Sequence, residues 1–276
     1  MIKYLFISFI LSGILLISFH AFAQKAIIPK GKNNFIVIAH RGDHVAAPEN
    51  TLMAYQHAID EGVDYVEIDL RTTKDSVLVI MHDNNINRMT NRKGYIRDYS
   101  FDSLRQIKVR NADQPTWREQ VIPSFEEVLQ LCKGKINIYL DFKDASVAAT
   151  YGKIIQAGME KNIVVYINSI NQFKEWRTIA PQMPLIVSLP KKVKSKEEII
   201  QLLGSFKVDI LDGSFDEYND ETVEGANEQG IPIWADIQSA NEAADAWDKA
   251  IAIGLKGLQT DHPKALIDYL KSKNIR

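Results

Sequence analysis

The sequence predicts a single (β/α)8 TIM barrel of the α/β class, and three observations carry that prediction. Its 276 residues suit the roughly 250 that one such barrel takes. Short apolar runs alternate with amphipathic stretches along most of the chain, the pattern of parallel strands joined by crossover helices. Charged and imidazole side chains gather at the C-terminal ends of the early apolar runs, where a barrel exposes its chemistry.

The elements follow in order. Residues 35–40 are an apolar run ending in His40. A helix is expected over 50–61, with Asn50 as its candidate N-cap and Gly62 as its stop. Residues 65–70 alternate, so Glu67 and Asp69 share one strand face, about 7 Å apart along the strand. Residues 77–82 form a third run, joined to the second by a turn too short for a helix. The stretch 84–121 then breaks the rhythm. It is polar, holds Asn84, Asn85, Gly94, Asn111, Pro115 and Trp117, and has one short helical pattern at Phe101 to Leu104. A loop of that length needs a reason, and binding is a common one. Because it leaves from His82, it is expected to overhang the mouth.

Beyond it, strands are expected over 136–142, 163–167, 184–189, 208–212, 231–236 and 257–260. Helices are expected over 124–132, 146–160, 171–179, 195–204, 220–229, 239–253 and 263–273. Ser195 ahead of Glu197 and Glu198, Gly230 with Pro232, and Pro263 at the last helix start are the boundary signals. Nine strand candidates against eight helices place one apolar run outside the barrel.

The composition, 46% hydrophobic and 25% charged, is that of an ordinary soluble domain. The first 23 residues are expected to be a signal peptide: Lys3, an apolar stretch over 4–19, and the small-x-small site Ala21-Phe22-Ala23. Cleavage after Ala23 would leave a barrel domain over 24–276 with the insertion 84–121, exported to the periplasm or beyond, and not stably inserted in a membrane. Losing Lys3 takes the net charge from −2 to −3, so no basic surplus argues for nucleic acid. Lys191, Lys192 and Lys194 read as a solvated loop. Cys132, the single cysteine, lies on the apolar face of its helix and reads as a core thiol. The sequence carries no signal for an oligomeric state.

The chemistry lies in four groups: His40-Arg41-Gly42, Pro48-Glu49-Asn50-Thr51, Glu67-Ile68-Asp69 and His82-Asp83. Carboxylates suit a divalent cation, arginine suits phosphate, and histidine suits proton transfer, so the types fit metal-assisted phosphodiester cleavage. At these residues the chain resembles the glycerophosphodiester phosphodiesterase family. The match continues through residues 122–129, Asp141-Phe142-Lys143, Trp234-Ala235-Asp236 and residues 257–263, about 34–272 in all.

The resemblance implies a barrel that hydrolyses a glycerophosphodiester, a small-molecule substrate, to an alcohol and glycerol 3-phosphate with one divalent cation, Mg²⁺ or Ca²⁺. It implies His40 and His82 as the acid/base pair, Arg41 and Lys143 as phosphate-binding cations, and Glu67 and Asp69 as metal ligands. The third family ligand is usually a glutamate; here it is Asp141, one methylene shorter, so the cation must sit closer or a water must bridge. Glu49 is read equally as orienting Arg41 or binding metal. Trp234 is read as an apolar wall of the substrate mouth, with core filler as the alternative. Asp261 is either a cap of the last helix or a site residue; His44 is a weaker pocket candidate, and His57 reads as structural. The rivals are an enzyme on a related diester (glycerophosphoinositol, lysophospholipid or a wall polymer) and a barrel kept only to bind phosphodiesters.

Overall fold

The computed structural model describes residues 26–109, 119–239 and 241–276. The expected signal peptide, 1–23, and Trp117 lie outside the described residues. The chain runs β1 (Ile36–Ala39), α1 (Leu52–Glu61), β2 (Tyr65–Thr72), β3 (Leu78–Ile80), α2 (Phe101–Arg105), β4 (Lys108–Val109), β5 (Gln120–Val121) and α3 (Phe125–Cys132). It continues β6 (Asn137–Phe142), α4 (Val147–Ala157), β7 (Ile163–Ile167), α5 (Ile170–Ile179), β8 (Leu185–Ser188) and α6 (Lys196–Ser205). The last elements are β9 (Ile210–Asp212), α7 (Asp220–Glu228), β10 (Ala235–Asp236), α8 (Ala244–Ala252), β11 (Gly257–Thr260) and α9 (Pro263–Ser272).

Eight parallel strands pair in the order β10-β11-β1-β2-β6-β7-β8-β9. Parallel bridges Leu211–Ile233 and Ser214–Asp236 join the two ends, so the sheet closes as a (β/α)8 barrel. The strand outside the barrel is β3. It pairs antiparallel with β2, Leu70 opposite Ile80 and Thr72 opposite Leu78. The turn at Thr73 to Ser76 explains this: Thr73 N–H donates to the Val77 carbonyl at 3.0 Å, and so tight a link can join only antiparallel neighbours. The insertion therefore leaves from a side strand, third in the chain but not a stave of the barrel. Its Ile86, Ile96, Leu104 and Val109 pack with Val79, Met81 and the adjoining Ile122 as a separate small core.

Several boundaries have visible causes. Thr51, not Asn50, caps α1 by accepting from the Ala54 N–H; Asn50 instead has a left-handed backbone, φ 56°. Ser124 and Ser195 form capping boxes with Glu127 and Glu198. Helix α8 begins at Ala244 rather than 239, because Glu242 is turned inward, accepting from the Trp247 indole at 3.0 Å and the Asp261 N–H at 3.0 Å.

The main core lies between the sheet and the helices and includes Cys132, whose thiol burial pushes up to about 12. A second cluster plugs the lower barrel: Ile38, Tyr65, Tyr139, Val164, Ile186, Ile210 and Trp234. Asp64 ties the segment before β1 and the last residue to the barrel floor, accepting from Lys32 N–H at 2.7 Å and pairing with Arg276 at 2.5 Å. Among the described residues no helix is long and apolar enough to cross a membrane.

Candidate active site

The turn after β1 is built so that Arg41 can meet the acids of β2. Arg41 and Gly42 both have positive φ, 55° and 80°. A side chain at Gly42 would place its Cβ 2.8 Å from the Ala54 carbonyl carbon, so glycine is required there. The turn aims Arg41 N–H at Glu67 Oε2, 2.8 Å away, and sets Arg41 Nε 3.6 Å from Asp69. The Asn50 amide donates to Asp69 Oδ2 at 2.7 Å, and its own oxygen accepts from the Tyr55 hydroxyl at 2.7 Å. Asn50 is thus a partner of a site carboxylate, and Tyr55, not recognised in the sequence, holds it in place.

Strands β2 and β6 lie side by side with Asp69 opposite Asp141. This register brings carboxylate oxygens of Glu67, Asp69 and Asp141 within 4.8 Å of one another. Asp141 therefore reaches the other two acids despite its shorter side chain. Asn168 donates to its Oδ1 at 2.8 Å, and Lys143 pairs with its Oδ2 and, at 3.1 Å, with Asp69. Two like unit charges 4.8 Å apart, the outer limit for these carboxylates, repel by about 3 kcal/mol at an effective dielectric of about 20. Burial and the adjacent Asp69 and Asp141 push the Glu67 carboxyl well above its usual range. Burial raises Asp69 too, but Lys143 and Arg41 outweigh it and hold Asp69 low. With all charged, three acids face two cations. A divalent cation reverses that balance, and an all-oxygen set fits a hard ion.

The two histidines are each held by a carboxylate. His40 Nδ1 lies 2.6 Å from Asp261 Oδ1, and His44 Nε2 lies 3.4 Å from the same oxygen. His44 Nδ1 donates to the His40 carbonyl at 2.9 Å, so His44 braces the turn. His40, His44 and Asp261 also bring three ligand-type atoms within 4.8 Å, but two imidazoles on one carboxylate fit the orienting of His40. Asp261 thus lies against His40, and the residue before α9, His262, makes no side-chain cap. His82 Nδ1 lies 2.8 Å from Asp83 Oδ1. Burial pulls Asp83 upward, yet hydrogen bonds from Arg88 and His82 prevail and hold it at about 2.

Arg88, which the sequence did not single out, joins the halves. It donates to Asp83 Oδ2 at 3.0 Å and to Glu49 at 2.7 and 2.8 Å. Glu49 also accepts from Arg41 Nη1 at 3.1 Å. Glu49 is engaged by two guanidiniums and is not in the carboxylate group of Glu67, Asp69 and Asp141. Trp234 is not at the mouth. It is 4% exposed, packs on Tyr65 with ring centroids 4.8 Å apart and planes tilted by 52°, and covers Gly257. Both contacts are strand-start residues, so Trp234 fills the barrel floor rather than walling the substrate. His57 is exposed on α1.

A family model described as the glycerophosphoryl diester phosphodiesterase family matches residues 40–265. This chain belongs to that family. A glycerophosphodiester phosphodiesterase of Caldanaerobacter subterraneus subsp. tengcongensis is 26% identical over 243 residues, 86% of this chain and 98% of its own. The crystal structure of glycerophosphodiester phosphodiesterase from Agrobacterium tumefaciens str. C58 has the same fold. It aligns at TM-score 0.76 and 20% identity over 85% of this chain and 99% of that one. An Oleispira antarctica phosphodiesterase, solved in complex with the product sn-glycerol-3-phosphate, aligns at TM-score 0.71 and 20% identity, over 86% of this chain and 96% of that one. The family member described here is a phosphoric diester hydrolase, and its reaction is the hydrolysis of glycerophosphodiesters. That sets aside the reading of a barrel that only binds them.

Proposed function

We propose that the chain, as a catalytic domain over 24–276 with the insertion 84–121, cleaves small soluble glycerophosphodiesters to an alcohol and glycerol 3-phosphate. Glu67, Asp69 and Asp141 would hold Mg²⁺ or Ca²⁺. The observation that carries the reading is the carboxylate group within 4.8 Å, bordered by Arg41 and Lys143. The product in the Oleispira relative supports glycerol 3-phosphate as the product here.

A bound divalent cation would polarise a phosphoryl oxygen and acidify the nucleophile, water or the neighbouring glycerol hydroxyl. The chain's own residues do the rest. Arg41 and Lys143 bind the phosphate and offset charge that grows on its oxygens. His40 and His82 both spend Nδ1 on a carboxylate, so each exchanges its proton through Nε2. One takes the proton of the attacking group, water or the neighbouring glycerol hydroxyl, and the other gives one to the leaving alkoxide; where the hydroxyl attacks, water then opens the cyclic phosphate by the same proton exchange in reverse. Glu49 orients Arg41 rather than binding metal.

Lys3, the apolar stretch over 4–19 and Ala21-Phe22-Ala23 support export; N-terminal sequencing of the exported protein should begin at Gln24. The decisive assay is hydrolysis of several glycerophosphodiesters by chelated protein with Mg²⁺, Ca²⁺ or Mn²⁺ restored singly. Recovery with Mg²⁺ or Ca²⁺ is expected. Full activity after exhaustive chelation would remove the metal from the reading.

A further inference from the structure

We propose that Arg71 is a positioning residue for His82: its guanidinium clasps the His82 main chain and, through Asp144, ties it to the strand end that carries Lys143. This rests on the phosphodiesterase reading and adds a residue to that same site.

The need arises from the fold. His40 continues β1, a stave flanked by β11 and β2, and its N–H donates to the Thr260 carbonyl at 3.1 Å. His82 follows β3, which is not a stave. The pairing of β3 with β2 ends at Ile80 opposite Leu70. The last main-chain bond on that side runs from the Met81 N–H to the Asp69 carbonyl at 2.9 Å. Beyond it the chain leaves into the insertion. Among the described residues no backbone–backbone hydrogen bond reaches His82, and its side chain is 38% exposed. An acid or base must still keep its nitrogen within hydrogen-bond reach of the reacting oxygen.

Arg71 supplies that hold. It lies two residues beyond Asp69 on β2, and so on the same strand face. Its Nε and Nη2 donate to the His82 carbonyl at 2.9 and 2.5 Å. Its Nη1 donates to Asp144 Oδ2 at 2.8 Å, and Asp144 Oδ1 accepts from the Thr72 N–H at 3.2 Å. Asp144 directly follows Lys143. One planar group thus spans from the end of β6 to the segment that carries His82. With each of its three nitrogens engaged and its side chain 14% exposed, Arg71 is an anchor rather than a further cation for the phosphate; a rigid fork suits that task.

The two histidines are then held in the same two ways. Each ring spends Nδ1 on a carboxylate, Asp261 or Asp83. Each carbonyl accepts from a side chain, His44 for His40 and Arg71 for His82. Fixing the carbonyl and one ring nitrogen together sets the direction of Nε2.

The test is steady-state kinetics of Arg71→Ala and Arg71→Lys, each alone and with His82→Ala, on diesters with an alkyl and with an acidic leaving group. Arg71→Ala should lower kcat about 10- to 100-fold, the scale of an ångström of misplacement, with KM changed less than about threefold. Arg71→Lys, which keeps the charge but loses the fork, should fall in between. In the His82→Ala background either change should cost less than about twofold. Arg71→Ala should also respond to the acidic leaving group as His82→Ala does. NMR of the His82 ring, assigned by its loss in His82→Ala, needs no turnover: its signal should shift or broaden in Arg71→Ala while that of His40 stays. Thermal melts check folding. If Arg71→Ala fails to fold, Asp144→Asn, at a 51% exposed side chain, takes its place and should lower kcat about three- to tenfold, again only when His82 is present. Equal losses with and without His82, a raised KM with kcat intact, or an unmoved His82 signal would overturn the positioning role. If wild type cleaves no glycerophosphodiester, the phosphodiesterase reading fails, and the His82 signal alone then decides whether Arg71 holds it.

Discussion

His40 Nδ1 and Asp261 Oδ1 meet at 2.6 Å although the residues are 221 positions apart in the chain. The pairing of β1 with β11, Ala39 beside Thr260, makes the contact unavoidable, since both residues leave adjacent parallel strands at the same level. Glu242 then fixes Asp261 by accepting its N–H. The carboxylate holds the imidazole in one tautomer and one orientation, as orienting acids do in acid–base pairs.

Asp261→Ala should therefore lower kcat by about 10- to 100-fold while His40→Ala lowers it by about 10²–10⁴-fold, and the double variant should be no worse than His40→Ala. His82→Ala should fall in the same range. A diester with an acidic leaving group should rescue only the histidine that protonates the leaving alkoxide; equal rescue of both would refute a division of labour.

Asp141→Ala should weaken divalent cation binding by at least about 100-fold, the upper end of what even an outer partner of a metal ligand is worth. Asp141→Glu should retain it. Titration calorimetry with Mg²⁺ and Ca²⁺ checks this, and equal affinity for wild type and Asp141→Ala would take Asp141 off the ligand set.

Arg88 links His82, through Asp83, to Arg41, through Glu49. Arg88→Ala should reduce kcat/KM about tenfold yet shift Tm by less than about 2 °C, because the Arg88 side chain is itself exposed, at 45%, and Glu49 keeps its bond from Arg41. A double-mutant cycle with Glu49→Gln should show strong non-additivity. Additive losses would mean that the two residues act separately.

Glu61 ends α1 beside Asp43, and burial with that neighbouring acid raises its carboxyl to about 7. The folded chain thus keeps a proton that the unfolded chain releases in the usual carboxylate range. Stability from this group is complete below that range and is lost as pH rises through about 7. Glu61→Gln should raise Tm at pH 8, where a charged carboxylate also opposes the helix C-terminal dipole, and change it little at pH 5. The same Tm gain at both pH values would contradict the raised carboxyl.

The insertion begins directly after His82-Asp83 and folds its apolar residues into its own small core, leaving no apolar run over the mouth among the described residues. Glycerophosphodiesters should exceed diacyl phospholipids and lysophospholipids in kcat/KM by at least about tenfold. Equal or higher values for the lipids would show that the mouth accepts acyl chains.

The sequence by itself determined the alternation of strands and helices, the strands that carry or lead into His40, Glu67, Asp69, His82 and Asp141, and the helix start at Ser195. Each of these depends on neighbours a few residues away, through side-chain period and local hydrogen bonding. Only the tertiary structure decided that β3 lies outside the barrel, that Asn50 bonds Asp69, that Asp261 pairs with His40 and that Arg88 joins Asp83 to Glu49. It also decided the place of Trp234. An apolar residue at the start of a barrel strand and one at its end look alike in a local pattern, and barrel closure and strand register set which end meets the substrate. The contacts of Arg71 were equally hidden, because His82 and Asp144 lie 11 and 73 positions away from it and become its neighbours only when β2, β3 and β6 align.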